Sequence, residues 1–255
     1  MAEKLVALIS GASAGIGAAS ARALAREGYG LLLGARRMDR LEQLAAGIRA
    51  EFGVPVWCGT LDVRDGRSVA AFVDDGVAAL GGIDVLVNNA GMARGLDRLD
   101  AVAPETWRQM LDTNVEGVIR LTQAALPHLR KSGRAHIVNI SSIAGQGVYP
   151  GGGVYCATKH ALDALTQTLR LELLAEPIRV SSIDPGMVET EFSIVRLGDA
   201  DRAAQVYKDM TPLTAEDIAE CVRWVVTLPS HVNIDRITIK PREQGDLRTV
   251  CRRQQ

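Results

Sequence analysis

The sequence predicts a doubly wound α/β fold: a seven-stranded parallel sheet with helices on both faces. Three observations predict it. Short, almost wholly apolar runs alternate with longer amphipathic stretches along the chain. The runs lack the apolar–polar alternation of a strand with one wet face, so each strand is buried on both sides by helices. The first run also passes directly into a glycine-rich turn that opens the first amphipathic stretch.

The expected strands are Leu5–Ser10, Leu31–Ala35, Val54–Thr60, Ile83–Asn88, Ala135–Ile140, Ile178–Ile183 and Arg236–Lys240. Helical periodicity fills the gaps at Gly15–Glu27, Met38–Phe52, Gly66–Leu80, Pro104–Lys131, Val154–Ala175 and Thr214–Thr227. Strictly alternating strands and helices describe a Rossmann fold. It is expected as one domain over residues 1–246, because no linker, repeat or low-complexity stretch divides it. Residues 188–211 are long, mixed and without clean periodicity. Such an insertion is either a lid or an ordinary connection; a substrate lid is the expectation. The polar, basic tail 247–255 is expected to fray, or to dock across a subunit interface.

Composition excludes several classes. The 255 residues are 47% apolar and 23% charged, which fits a full core rather than a disordered chain. The 29 basic and 30 acidic residues give a net charge of −1, so nothing points to nucleic acid or an anionic membrane. The run Leu5–Ile9 is too short to span a bilayer. Cys58, Cys156, Cys221 and Cys251 are scattered and the histidines lack ligand spacing, so no metal site is expected. The same cysteine usage suits a reducing, cytoplasmic setting.

The chemistry sits at strand ends. After the first strand comes Ser10-Gly11-Ala12-Ser13-Ala14-Gly15-Ile16-Gly17, with spacing Gly-x-x-x-Gly-x-Gly. Glycines let a pyrophosphate approach the backbone, and the helix that follows offers free N–H groups. The second strand ends in Arg36-Arg37, where an NAD site usually places an acidic residue. Guanidinium forks suit a 2′-phosphate, so the reading favours NADP. Asp62-Val63 and Asn88-Asn89-Ala90-Gly91 follow the third and fourth strands, at the edge where open α/β sheets bind ligands. Tyr155 and Lys159 are four apart, hence on one helix face. An ammonium beside a phenol favours the phenolate, which general acid–base catalysis can use.

Gly11-x-x-x-Gly15-Ile16-Gly17, Asn88-Asn89-Ala90-Gly91, Asn114, Ser142, Tyr155, Lys159 and Asp184-Pro185-Gly186 occur in that order. The set resembles the short-chain dehydrogenase/reductase family over almost the whole chain. The resemblance implies an NADP-dependent oxidoreductase with catalytic residues Asn114, Ser142, Tyr155 and Lys159. Tyr155 would exchange the proton, Lys159 would lower its pKa and hold the nicotinamide ribose, Ser142 would polarise the substrate oxygen, and Asn114 would support a water reaching Lys159. Pro185 and Gly186 would position the nicotinamide, with Val188 and Thr190 also on the cofactor. A homo-oligomer, tetramer or dimer, is implied as well.

Val148–Tyr155, Thr190–Arg196 and Leu228–Ile234 narrow the resemblance to NADP-dependent 3-hydroxy acid dehydrogenases. These act on serine, allo-threonine, 3-hydroxyisobutyrate and malonic semialdehyde. Arg196 and Arg94 are the candidates for a substrate carboxylate. A reductase of a larger carbonyl and a non-catalytic NADP sensor are the alternatives. The intact Ser142, Tyr155 and Lys159 weigh against the sensor.

Overall fold

The computed structural model describes residues 5–253. Residues 1–4 of the expected domain and 254–255 of the tail lie outside the described residues. The strands are β1 Val6–Ser10, β2 Gly30–Ala35, β3 Val56–Thr60, β4 Val85–Asn88, β5 Ala135–Ile140, β6 Ile178–Pro185 and β7 Arg236–Ile239. They form one parallel sheet in the order β3-β2-β1-β4-β5-β6-β7. The order reverses direction between β1 and β4. That is the topological switch point, where the loops on the two sides part and open a crevice.

Alternate residues of the inner strands β1, β2 and β4 face opposite layers, which is why they read as continuous apolar runs; β7, expected to be buried on both sides, is an edge strand whose Arg236 and Thr238 are exposed. Ala7 and Ile9 of β1, with Leu31 and Leu33 of β2, pack in one buried cluster. That layer is covered by α1 Gly15–Arg26, α2 Met38–Phe52 and α9 Ala215–Thr227. Val6, Leu8 and Leu32 face the opposite cluster. There the cover is α3 Gly66–Leu80, α5 Gly117–Leu129 and the end of α6 Gly153–Glu172.

Local chemistry ends the helices where the sequence places the signals. α2 and α3 stop at Gly53 and Gly81, both left-handed, with φ of 66° and 92°. Thr214 and Asp217 close a reciprocal capping box on α9. The last turn of α9 is held by a buried cation: Arg179 of β6 donates to the carbonyls of Val225, Val226, Leu228 and Val232. Four acceptors engage Nη1 and Nη2 of a guanidinium that would otherwise be costly to bury, while its Nε has no partner.

One expectation is corrected. The single helix expected over 104–131 is α4 Pro104–Leu111, a π-helical segment Asp112–Glu116, and α5. One extra residue per turn leaves the apolar stripe nearly unbroken, so periodicity did not reveal it. Within the described residues the tail is hydrogen-bonded to the rest of the chain: Val250 pairs with Gln244, the Cys251 N–H donates to Glu243 at 2.8 Å, and the Arg253 N–H donates to Asp209 at 2.8 Å. Residues 188–211 contain α7 Glu191–Leu197 and α8 Ala200–Val206, each too short for a periodic signal.

Candidate active site

The carboxyl ends of β1, β4, β5 and β6 converge on one cleft of about 610 Å³. It is lined by Gly11, Ser13, Ala14, Gly15, Ile16, Arg36, Arg37, Asp62, Val63, Asn89, Ala90, Gly91, Ser142, Tyr155, Lys159, Pro185, Gly186, Val188 and Thr190. Residues from 11 to 190 thus share one surface. Gly17 and Asn114, expected with them, stand behind that surface and act on it through neighbours.

The glycine turn is built around absences. Gly11 and Gly15 have φ of 66° and 53°. A Cβ on Gly17 would lie 2.5 Å from both Asn89 Nδ2 and the Gly11 carbonyl. Asn89 fills that space itself, donating to Ser10 O at 2.9 Å and Gly11 O at 3.2 Å. Ser10 Oγ accepts the N–H groups of Asn89 and Ala90 at 3.1 and 3.0 Å. The two loops of the switch point are therefore laced together. α1 opens on Ala14 with no side-chain cap and no acidic residue in its first turn. Its first N–H groups stay free for an anion.

The other end of the cleft holds the titratable groups. Tyr155 and Lys159 lie on the buried face of α6. The Lys159 ammonium donates to the Ile140 carbonyl at 3.0 Å and sits 5.8 Å from the Tyr155 ring centre. Burial pushes Lys159 down to about 8, against the pull of the Asp184 carboxylate. Burial raises the Tyr155 phenol well above its ordinary value, opposed by a hydrogen bond with Ser142. Here the Lys159 ammonium is held by the Ile140 carbonyl, and burial of the ring is the largest influence on the phenol. Ser142 Oγ also accepts the Ala144 N–H at 3.1 Å, which fixes the short turn after β5.

Buried Lys159 makes a pH-dependent prediction. Its pKa in the folded chain is below the unfolded value, so between about 8 and 10.5 the unfolded chain binds the extra proton. Stability from this group therefore rises with pH through that window. Lys159→Met should gain roughly 1–3 kcal/mol at pH 7, and the gain should shrink toward pH 10. Urea unfolding at the two pH values reads the difference; a gain independent of pH would refute it.

Asn114 lies within the π-helical segment. Its Nδ2 donates to Met92 O at 2.8 Å and Thr158 Oγ1 at 3.1 Å, and its Oδ1 accepts the Met92 N–H at 2.8 Å. It braces the Gly91–Met92 turn against α6. Asp62 is held by Arg64, whose Nε and Nη2 donate to its two oxygens at 2.9 and 2.5 Å, and this keeps the carboxylate well below its usual range. Arg37 is also engaged, by Ser13 and by Glu191.

Several functional neighbours escaped the sequence reading. Gln244 is buried, and its Oε1 accepts the Met187 N–H at 2.8 Å. A Cβ on Gly186 would lie 2.2 Å from that oxygen, so the glycine leaves the room in which Gln244 makes this bond. Leu247 packs in the same apolar cluster as Tyr155, Phe192 and Tyr149. Tyr207 donates to Val188 O at 2.7 Å and meets Ser193 Oγ at 2.6 Å, joining α8 to α7. No spacing signal marks these residues, because each is brought in from a distant segment.

Of the two arginine candidates, Arg196 approaches the phenol. Its guanidinium lies 5.5 Å from the ring centres of both Tyr149 and Tyr155, and its Nε donates to Gly95 O at 3.2 Å. Arg94 lines the same cleft from an exposed position.

Residues 5–198 match the family model for short chain dehydrogenase. The chain belongs to the short-chain dehydrogenase family. This dehydrogenase is 42% identical over 243 residues to sulfoacetaldehyde reductase 2 of Chromohalobacter salexigens, covering 94% of this chain and 95% of the relative. It is 41% identical, over 94% of this chain and 96% of the relative, to an NADP-dependent 3-hydroxy acid dehydrogenase of Salmonella typhi. Among solved structures, the closed form of serine dehydrogenase complexed with NADP⁺ superposes with a TM-score of 0.90 at 37% identity, covering 98% of this chain and all of the other. The family match ends at Gly198, so Gln244 and Leu247 lie beyond the part of the short-chain dehydrogenase that the family model describes.

Proposed function

We propose that this protein transfers a hydride between NADP(H) and a small 3-hydroxy acid or its semialdehyde. The class is an oxidoreductase of the short-chain dehydrogenase family, acting on hydroxyl groups. Its cofactor, NADP, accords with the uncapped α1 terminus, the Gly17 cradle and the two arginines ending β2. When bound, the nicotinamide supplies the hydride acceptor or donor.

This chain's residues do the rest. Tyr155 Oη gives the proton to the substrate oxygen in reduction and takes it back in oxidation. The Ser142 hydroxyl holds that oxygen. The Lys159 ammonium leaves Ile140 for the nicotinamide ribose and favours the phenolate in oxidation. Asn114 keeps the Gly91–Met92 turn and α6 in register. Phe192, 5.8 Å from the Tyr155 ring, and Leu247 exclude water from the proton transfer.

The observation that carries the substrate class is Arg196 beside Tyr155. A cation there fits an anion close to the reacting carbon. Malonic semialdehyde and sulfoacetaldehyde have the same skeleton: an aldehyde, one methylene, and then a carboxylate or a sulfonate. Relatives named for a 3-hydroxy acid and for sulfoacetaldehyde therefore support one recognition chemistry. The decisive experiment is a screen of NADP⁺ and NAD⁺ on serine, allo-threonine and 3-hydroxyisobutyrate, with malonic semialdehyde and propionaldehyde in reverse. NADP(H) and the acids should give the higher kcat/KM. Equal kcat/KM on propionaldehyde would remove the 3-hydroxy acid reading.

A further inference from the structure

The cofactor half of the cleft is bridged by charge. Arg37, the residue before α2, gives Nη1 to one oxygen of Glu191 at 2.8 Å. Arg40, in the first turn of α2, gives Nη1 to the other oxygen at 2.6 Å. Glu191 is the first residue of α7, so the pair ties the opposite bank of the cleft to α2. All three side chains are between 41% and 44% exposed, so the tie lies at the mouth rather than in the core.

Arg37 keeps a second edge in reserve. Its Nε and Nη2 both rest on Ser13 Oγ, at 3.2 Å each. A neutral hydroxyl is a poor match for a fork that fits two anionic oxygens. A 2′-phosphate arriving between Ser13 and Arg37 would take that edge and leave Nη1 free to stay on Glu191. The far end of α7 carries Arg196 over Tyr155, and Phe192 packs on the same ring. One short helix thus runs from the phosphate end of the cleft to the reacting phenol.

We propose that Glu191 is a positioning residue that clasps α7 over the bound cofactor, through Arg37 and Arg40, and so sets how fast NADP(H) leaves. The inference rests on the reading of this cleft as the NADP site. Half-exposed ion pairs are individually weak, so the clasp changes exchange rates several-fold and does not decide whether the cofactor binds. The two arginines hold the Glu191 carboxyl below its usual range, so the clasp stays charged across neutral pH.

The test is the release of NADPH, followed by the fluorescence of the reduced nicotinamide when excess NADP⁺ displaces it in a stopped-flow cell. Glu191→Gln should release NADPH about three- to tenfold faster than the wild type. Arg40→Met should act in the same direction with a smaller effect. Arg40 does not line the cleft, so its effect separates a clasp from a direct contact with phosphate. Raising salt from about 0.05 to about 0.5 M should bring the Gln variant and the wild type toward equal rates, because exposed pairs are screened. Unchanged release in Glu191→Gln, or in Arg40→Met, overturns the proposal. Slower release in Glu191→Gln overturns it too, since Glu191 would then compete with the 2′-phosphate for Arg37. A wild type that fails to bind NADPH sinks the cofactor reading along with the clasp, whereas bound NADPH with equal rates sinks the clasp alone.

Discussion

Tyr155→Phe should lower kcat by roughly 10²–10⁴-fold while NADPH still binds, because the loss is that of a positioned proton donor. The substitution removes one oxygen and keeps the ring. Packing on Phe192 at 5.8 Å and under Arg196 at 5.5 Å is therefore retained, and the loss reads proton transfer rather than collapse of the pocket. The phenol of the wild type is held high by burial, so it is protonated at neutral pH and ready to donate in aldehyde reduction. Oxidation of the hydroxy acid needs the phenolate. Its rate should climb as the pH rises above neutral, while reduction should not. Steady-state kinetics in both directions, with NADPH titration of the variant by fluorescence, check the set. Near wild-type turnover in the Phe variant would remove Tyr155 from the mechanism.

Arg196→Met should raise KM for malonic semialdehyde about 10- to 100-fold, the range expected for losing a charge-assisted hydrogen bond in a partly buried site. Propionaldehyde should change by less than about threefold, because methionine keeps an unbranched stem against Tyr149 and loses only the charge. Arg196→Lys should recover part of the loss: the ammonium restores the charge but not the planar fork. The measurement is the ratio of kcat/KM for the two aldehydes in each variant. An equal fall on both would assign Arg196 to packing, through its contacts with Tyr149 and Gly95.

How much of this was legible follows from where each signal lies in the chain. Tyr155 and Lys159 are one helical turn apart, so their shared face could be read from spacing, and the structure has both on the buried side of α6. The glycine turn was legible for the same reason, since strand, turn and helix are consecutive. What Lys159 does at rest was not legible. Its partner is the carbonyl of Ile140, nineteen positions away on β5, and burial is the largest influence on the phenol. Asn114 could be picked out as a candidate, yet the π-helical segment that aims it at Met92 leaves the apolar stripe of 104–131 intact. Arg36 and Arg37 were legible as cations at the end of β2. That Arg37 is already shared with Glu191 depends on a contact 154 positions away.

The sequence by itself determined the sheet, its helical layers, the family and the nature of the chemistry, because apolar periodicity and strand-end motifs are properties of consecutive residues. Only the tertiary structure decided what surrounds that chemistry. It brought Gln244 against Gly186, Leu247 against Tyr155, and Arg196 over the phenol, from segments with no pattern of their own. The physical reason is that these contacts are set by how the loops beyond β4, β6 and β7 pack on one another. Such packing depends on shape and charge summed over distant segments, and no window of neighbouring residues records it.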